Sequence, residues 1–73
     1  MNTEIVVFGY GPVGRATTER LVAQGHTVCV AQRVRPVDLP PGVTFQTCDV
    51  LDAGEARRAV EGAGQIVVAI GFP

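Results

Sequence analysis

Short strand-like runs alternate along the chain with two segments of helical periodicity. Ile5–Phe8 is an unbroken β-branched and aromatic run that ends at Gly9, and further strand-like runs occupy residues 27–31, 43–48 and 65–70. Continuous apolar runs of this length are typical of strands covered on both faces, as in a parallel sheet. The pattern therefore predicts four strands.

The first helix is predicted over residues 13–24. Small and apolar residues recur there at spacings of four and three, so they share one helix face: Gly14, Thr18 and Leu21. Gly25 follows and can end the helix, because glycine adopts a left-handed conformation without a Cβ clash.

The second helix is predicted from Asp52, the N-cap, to about Val60. Asp52 and Glu55 have the spacing of a capping box. The connection over residues 33–42 contains three prolines, which exclude a helix of normal length. An extended chain of about ten residues spans roughly 30 Å, so a crossover without a helix is physically feasible.

The order of the predicted elements indicates an α/β fold with a parallel sheet. Right-handed crossovers build such a sheet, a βαββαβ half of a doubly wound fold, and if its strand order is 3-2-1-4 the two helices lie on opposite faces. Two helices cannot cover four such strands, so several of the following should stay exposed: Val7, Val30, Phe45, Val67 and Ile70. We therefore expect residues 1–73 to be part of a larger domain, or to be covered by another copy in a homo-oligomer.

Composition narrows the classes of partner. The chain has six arginines, no lysine and seven carboxylates, with a net charge of −1, so no basic face for nucleic acid is expected. No apolar run approaches the roughly 20 residues that cross a bilayer, and the start lacks a basic signal segment, which predicts a cytoplasmic protein without a membrane partner. Cys29 and Cys48 are predicted to be buried thiols, and no metal site is expected.

A G-x-G-x-x-G motif follows the first strand and opens the first helix. Its members are Gly9, Tyr10, Gly11, Pro12, Val13 and Gly14. In this context the motif predicts a dinucleotide site, with Gly9 in the tight turn, Gly11 where the backbone approaches a pyrophosphate, and Gly14 where helix and strand pack closely. The helix N-terminus would supply N–H groups and a positive dipole for the phosphates, and Tyr10 would be structural or line the cofactor.

The end of the second strand predicts which cofactor is used. NAD-binding sites usually carry a carboxylate there, whereas this chain has Gln32, Arg33 and Arg35. A guanidinium can hold a 2′-phosphate through two charge-assisted hydrogen bonds, so we predict NADP, with NAD as the alternative. Arg33 would be the main contact and Arg35 a helper, unless both are simply solvated loop residues.

Two further strand ends are expected at the same edge of the sheet. Asp49 could accept a hydrogen bond from the adenine amino group while Val50 packs on the ring, although an aspartate here could equally cap a turn. Small residues after the fourth strand would leave room for the adenosine and pyrophosphate, or would serve packing alone: Ala69, Ile70 and Gly71.

The sequence resembles the extended and atypical short-chain dehydrogenase/reductases, in their NAD-dependent epimerase/dehydratase branch. The resemblance is carried by residues 7–14, 25–28, 48–52, 59–63 and 67–71. It implies a Rossmann NAD(P)-binding domain, with Asp49 and Val50 beside the adenine and the strand ending at Gly71 along the cofactor. The chain departs from the T-G-x-x-G-x-x-G form of the loop. Without a lysine it also cannot hold the family's catalytic Tyr-x-x-x-Lys pair, so we predict no catalytic residue in it.

Two other functions fit parts of the pattern. A nucleotide-sensing regulatory domain of potassium channels and transporters is similar in its Gly-Tyr-Gly-x-x-Gly loop, but such domains usually have an aspartate where Gln32 and Arg33 stand. A degenerate reductase fold that senses NADP without turnover is the other. A Tyr-x-x-x-Lys pair elsewhere in the same protein would favour an oxidoreductase or epimerase over either sensor.

Overall fold

Four strands and two helices make up the part of the chain that the computed structural model describes, residues 4–49 and 51–69. In chain order they are β1 (Ile5–Phe8), α1 (Pro12–Ala23), β2 (Val28–Gln32), β3 (Thr44–Thr47), α2 (Ala53–Val60) and β4 (Gln65–Val68). Each predicted element is present, with ends that shift by one or two residues.

The strands form one parallel sheet in the order β3-β2-β1-β4. β1 lies between β2 and β4, and Val6 is aligned with Cys29 on one side and with Ile66 on the other. The predicted parallel α/β architecture is therefore confirmed, and the sheet has the strand order for which the two helices were expected on opposite faces.

The two helices lie on opposite faces of the sheet, because the right-handed crossovers β1-α1-β2 and β3-α2-β4 run in opposite directions across it. Ile5 and Val7 pack with Leu21 and Val22 of α1. On the other face, the core around α2 consists of Val6, Phe8, Cys29, Ala31, Cys48 and Ala59. β1 is buried on both faces and forms the centre of the fold.

Local sequence sets both ends of α1. Pro12 occupies the first turn, where its missing N–H has no helical partner. At the other end, Gly25 has φ +87°, and the N–H groups of Gly25 and His26 donate to the carbonyls of Val22 and Leu21. This is a Schellman motif, and it confirms the predicted role of Gly25 as the helix stop.

The connection between β2 and β3 contains no helix, as its prolines predict. It ends in a turn in which the Val43 N–H donates to the Pro40 carbonyl at 3.2 Å, and Gly42 has φ +85°. Proline then glycine at the two central positions is typical of a type II turn. Upstream, the Arg35 guanidinium lies 5.9 Å from the centroid of the Phe45 ring. This is a cation–π contact between the connection and β3.

The expected exposure of core residues is partly wrong. Val7 and Val30 are both 0% exposed, because α1 and the connection cover their face of the sheet, while Phe45 and Val67 are half-buried and Ile70 lies outside the described residues. Among the residues of the four strands, the exposed large hydrophobic side chains are on β4, at Ile66 (49%) and Val68 (64%). These residues point to the α2 face, and the core of that face contains no residue of β4.

The uncovered face of β4 predicts self-association of the 73-residue chain. A strand with exposed apolar side chains and an unpaired edge is a template for pairing with another chain. We expect sedimentation velocity to show species larger than a monomer, and a melting temperature that rises with protein concentration. A monomeric profile with cooperative, concentration-independent melting would contradict this expectation.

Candidate functional site

The glycine loop begins where β1 ends. Gly9 has φ +97°, a left-handed conformation that side chains other than glycine rarely adopt, and its N–H donates to the Ala31 carbonyl at 3.1 Å. Ala69 donates to the Phe8 carbonyl at 2.9 Å from the other side. The turn is thus fixed between β2 and the end of β4, at the point where the strand order reverses.

Gly14 allows α1 to lie directly against that turn. A Cβ on Gly14 would collide with the Gly9 carbonyl oxygen and stand 2.9 Å from the Gly9 carbonyl carbon. It would also lie 3.4 Å from the Ala69 Cβ. Gly14 is therefore required for packing, which is the role that the motif predicts for its third glycine.

Gly11 has a different environment. Its backbone angles, φ −74° and ψ −168°, are open to any residue, and beyond its immediate chain neighbours a Cβ there would meet no atom of residues 4–49 and 51–69 within 4 Å. It is the N-cap of α1, yet no side chain caps this end and the first turn contains no acidic residue. The first N–H groups of a helix have no partner within the helix, so this end can receive an anion.

The flanking members of the motif line the same opening. Pro12 and Val13 are exposed in the first turn of α1, and Val13 is 67% exposed. Tyr10 is half-buried, and its hydroxyl is buried without a hydrogen-bond partner. Burial raises the pKa of the Tyr10 phenol above its usual range, and the nearby Asp38 carboxylate raises this pKa further.

Gln32 clips the glycine loop to the end of β2. Its Oε1 accepts the Tyr10 N–H at 2.9 Å, and its Nε2 donates to the Val34 carbonyl at 2.7 Å. This arrangement needs one acceptor and one donor on the same side chain, which an amide has and an ionised carboxylate lacks. Gln32 therefore has a structural use at the position where a ribose-binding acid is usual.

The two predicted phosphate-binding arginines differ in their surroundings. Arg33 is exposed and makes no ion pair or hydrogen bond within the described part of the chain. Arg35 is also exposed, but its guanidinium lies over the Phe45 ring. The structure thus leaves Arg33 available to an anionic ligand and holds Arg35 against β3.

Asp49 belongs to a small network after β3. Its Oδ1 accepts the Leu51 N–H at 3.0 Å, as in an Asx turn, and its own N–H donates to Glu55 Oε1 at 3.4 Å. Asp52 caps α2 by accepting the Glu55 N–H at 3.0 Å, as predicted. Asp49 therefore has a turn-capping use, while Val50, Ile70 and Gly71 lie outside the described residues.

The cysteines are buried thiols, as predicted. Cys29 and Cys48 are both free and buried. Burial raises the pKa of Cys48, and the carboxylates of Glu55, Asp49 and Asp52 raise it further, so it remains a neutral thiol. No group of three or more potential metal ligands occurs in residues 4–49 and 51–69, and no helix there is long and apolar enough to span a bilayer.

Comparison with solved structures identifies the architecture. A mutated uronate dehydrogenase matches with a TM-score of 0.81 at 24% sequence identity, over 100% of this chain and 27% of that one. An isoflavone reductase matches with a TM-score of 0.79 at 16% identity, over 100% of this chain and 28% of that one. The fold is of the Rossmann type.

Sequence comparison reaches proteins that are far longer. Uncharacterized proteins from Mycobacterium tuberculosis and Mycobacterium bovis are each 40% identical to the chain over 53 residues, or 73% of this chain. The chain spans only 6% of the length of these curated relatives. No family model matches the sequence.

One contact near the site was absent from the predictions. Arg15 and Glu19 stand one helical turn apart in the sequence, and their side chains pair at 3.2 Å. The Arg15 Nη1 also lies 2.7 Å from Asp38 Oδ2, across the gap to the connection between β2 and β3. Helical spacing reveals the first pair, whereas no local signal reveals the second.

Substitutions at Gly14 and Gly11 should have different effects on the stability of the fold. Gly14→Ala should lower the free energy of unfolding by about 1–3 kcal/mol, because the new Cβ collides with backbone. Gly11→Asn should leave it unchanged or raise it by a few tenths of a kcal/mol, since asparagine is a favourable N-cap. Thermal melting at one fixed protein concentration measures both, and equal losses would contradict this account of the loop.

Proposed function

We propose that the chain is the N-terminal cofactor-binding part of a Rossmann NAD(P)-binding domain, in an epimerase, dehydratase or reductase similar to the short-chain dehydrogenase/reductases. The observation that carries the proposal is the open space at Gly11. Within the described part of the chain this glycine has neither a conformational nor a packing requirement, although it sits at the head of α1. A ligand that approaches the backbone closely would supply that requirement.

The surroundings of Gly11 fit a pyrophosphate. The helix N-terminus has a partial positive charge and unpaired N–H groups, and no acidic residue in the first turn opposes an anion. The space lies at the carboxyl end of β1, beside the point where the strand order reverses, which is where open α/β sheets bind their ligands. The names of the two structural neighbours, a dehydrogenase and a reductase, support the same class of cofactor.

The end of β2 favours NADP over NAD. The end of β2 has no carboxylate to accept hydrogen bonds from the ribose hydroxyls. The Gln32 amide is already hydrogen-bonded to two backbone groups. Arg33 follows with an exposed guanidinium that has no partner among the described residues. We assign Arg33 to the 2′-phosphate, and Asp49 and Val50 to the side of the adenine.

The chemistry of turnover requires residues from elsewhere in the protein. The chain has no lysine and therefore no Tyr-x-x-x-Lys pair. When bound, a nicotinamide cofactor supplies hydride transfer. The role of these residues is to bind its phosphates and adenosine in a fixed position.

A charge change at Gly11 tests the phosphate site without disturbing the fold. Gly11→Asp and Gly11→Asn add side chains of the same size, and both are favourable N-caps. We expect Gly11→Asp to weaken NADPH and NADH alike by at least about tenfold relative to Gly11→Asn, because its carboxylate repels the pyrophosphate. Fluorescence titration measures both affinities, and affinities in both variants equal to those of the unmodified protein would remove the pyrophosphate assignment.

Arg33 is tested by its effect on cofactor choice. Arg33→Asp should weaken NADPH by about ten- to a hundredfold and NADH much less, because only NADPH has the 2′-phosphate. Arg57→Asp on α2 makes the same change in net charge and should alter neither affinity. An equal loss of NADPH and NADH binding in Arg33→Asp would withdraw the assignment.

A further inference from the structure

We propose that Asp38 is a specificity-determining residue that lowers the preference for NADPH over NADH by competing with the 2′-phosphate for Arg15. The inference rests on the proposed function. Arg15 would act as a second cationic partner of the phosphate beside Arg33, and Asp38 would keep it engaged when no phosphate is present.

Arg15 and Asp38 form a solvent-exposed ion pair between α1 and the connection. Arg15 lies on α1 directly after Gly14, and its Nη1 is 2.7 Å from Asp38 Oδ2 on the connection between β2 and β3. The two side chains are 54% and 44% exposed, so water reaches both partners. Exposed pairs of this kind contribute little net stability, and an anionic ligand can therefore displace the carboxylate.

The Arg15–Asp38 pair lies next to the last residue of the glycine motif in the chain. Arg15 directly follows Gly14, the last glycine of the motif, and its ion pair with Asp38 joins α1 to the connection between β2 and β3. That connection begins at Arg33, next to Gln32, whose side chain accepts the Tyr10 N–H of the glycine loop at 2.9 Å. The pair therefore joins the helix that follows the glycine loop to the same segment that holds the proposed 2′-phosphate contact.

Glu19 also contacts Arg15, but we do not expect it to compete with the 2′-phosphate. Glu19 approaches Arg15 Nε at 3.2 Å from one turn further along α1, away from the loop. Asp38 instead contacts the terminal Nη1, the part of the guanidinium that points to the connection. A phosphate held near Arg33 would compete with Asp38 for that nitrogen.

The test is the ratio of NADPH to NADH affinity at low ionic strength in a set of matched variants. Asp38→Asn should shift the ratio toward NADPH by about two- to fivefold, the range of a surface ion pair. Glu61→Gln, an exposed carboxylate at the end of α2, makes the same change in net charge and should leave the ratio unchanged. A general loss of stability would affect both cofactors equally and would not move the ratio.

A variant at Arg15 tests whether Asp38 acts by competing with the 2′-phosphate for this guanidinium. In an Arg15→Gln background, Asp38→Asn should shift the ratio much less, because no guanidinium remains to be released. A shift of equal or greater size in that background would overturn the proposal, as would an unchanged ratio in Asp38→Asn while the unmodified chain binds both cofactors. These measurements use the protein in which residues 1–73 stand within their complete domain; if that protein binds neither NADPH nor NADH, the proposed function itself fails and this inference falls with it.

Discussion

The close contact between α1 and the end of β1 is the constraint on which the site depends. Gly14 meets the Gly9 carbonyl with no room for a side chain, so the helix axis is fixed relative to the strand. That contact also determines where the first N–H groups of α1 lie at the edge of the sheet. A looser contact would move the helix N-terminus away from the strand ends, and the groups that we propose to bind phosphate would no longer face one space.

The Gln32 clip extends this rigidity to the second strand. By joining the Tyr10 N–H to the Val34 carbonyl, it couples the glycine loop to the start of the connection that holds Arg33 and Asp38. Fixed positions for these groups reduce the ordering cost of binding a flexible dinucleotide. Gln32 is also uncharged, so it does not repel the 2′-phosphate of the proposed NADP as an aspartate or glutamate at this position would.

Patterns within short stretches of sequence predicted most of the fold. The element order, the capping residue Asp52, the stop at Gly25 and the packing role of Gly14 all follow from local backbone preferences. The Gln32 clip and the Arg15–Asp38 pair could not be predicted, because each joins residues that are more than twenty positions apart and depends on side-chain rotamers. Exposure was misjudged for a related reason, since the area that a proline-rich segment covers cannot be calculated from its sequence.

The segment between β2 and β3 has a further consequence for how such a domain can change. Three of its residues, Pro36, Pro40 and Pro41, have no N–H, so the segment can cross the sheet without a helix and leave fewer backbone donors in need of partners. Its attachment depends on a few side-chain contacts rather than on a continuous ladder of backbone bonds. Residues could be added between those contacts without breaking a hydrogen bond of the sheet, so this crossover can become longer while the strands keep their register.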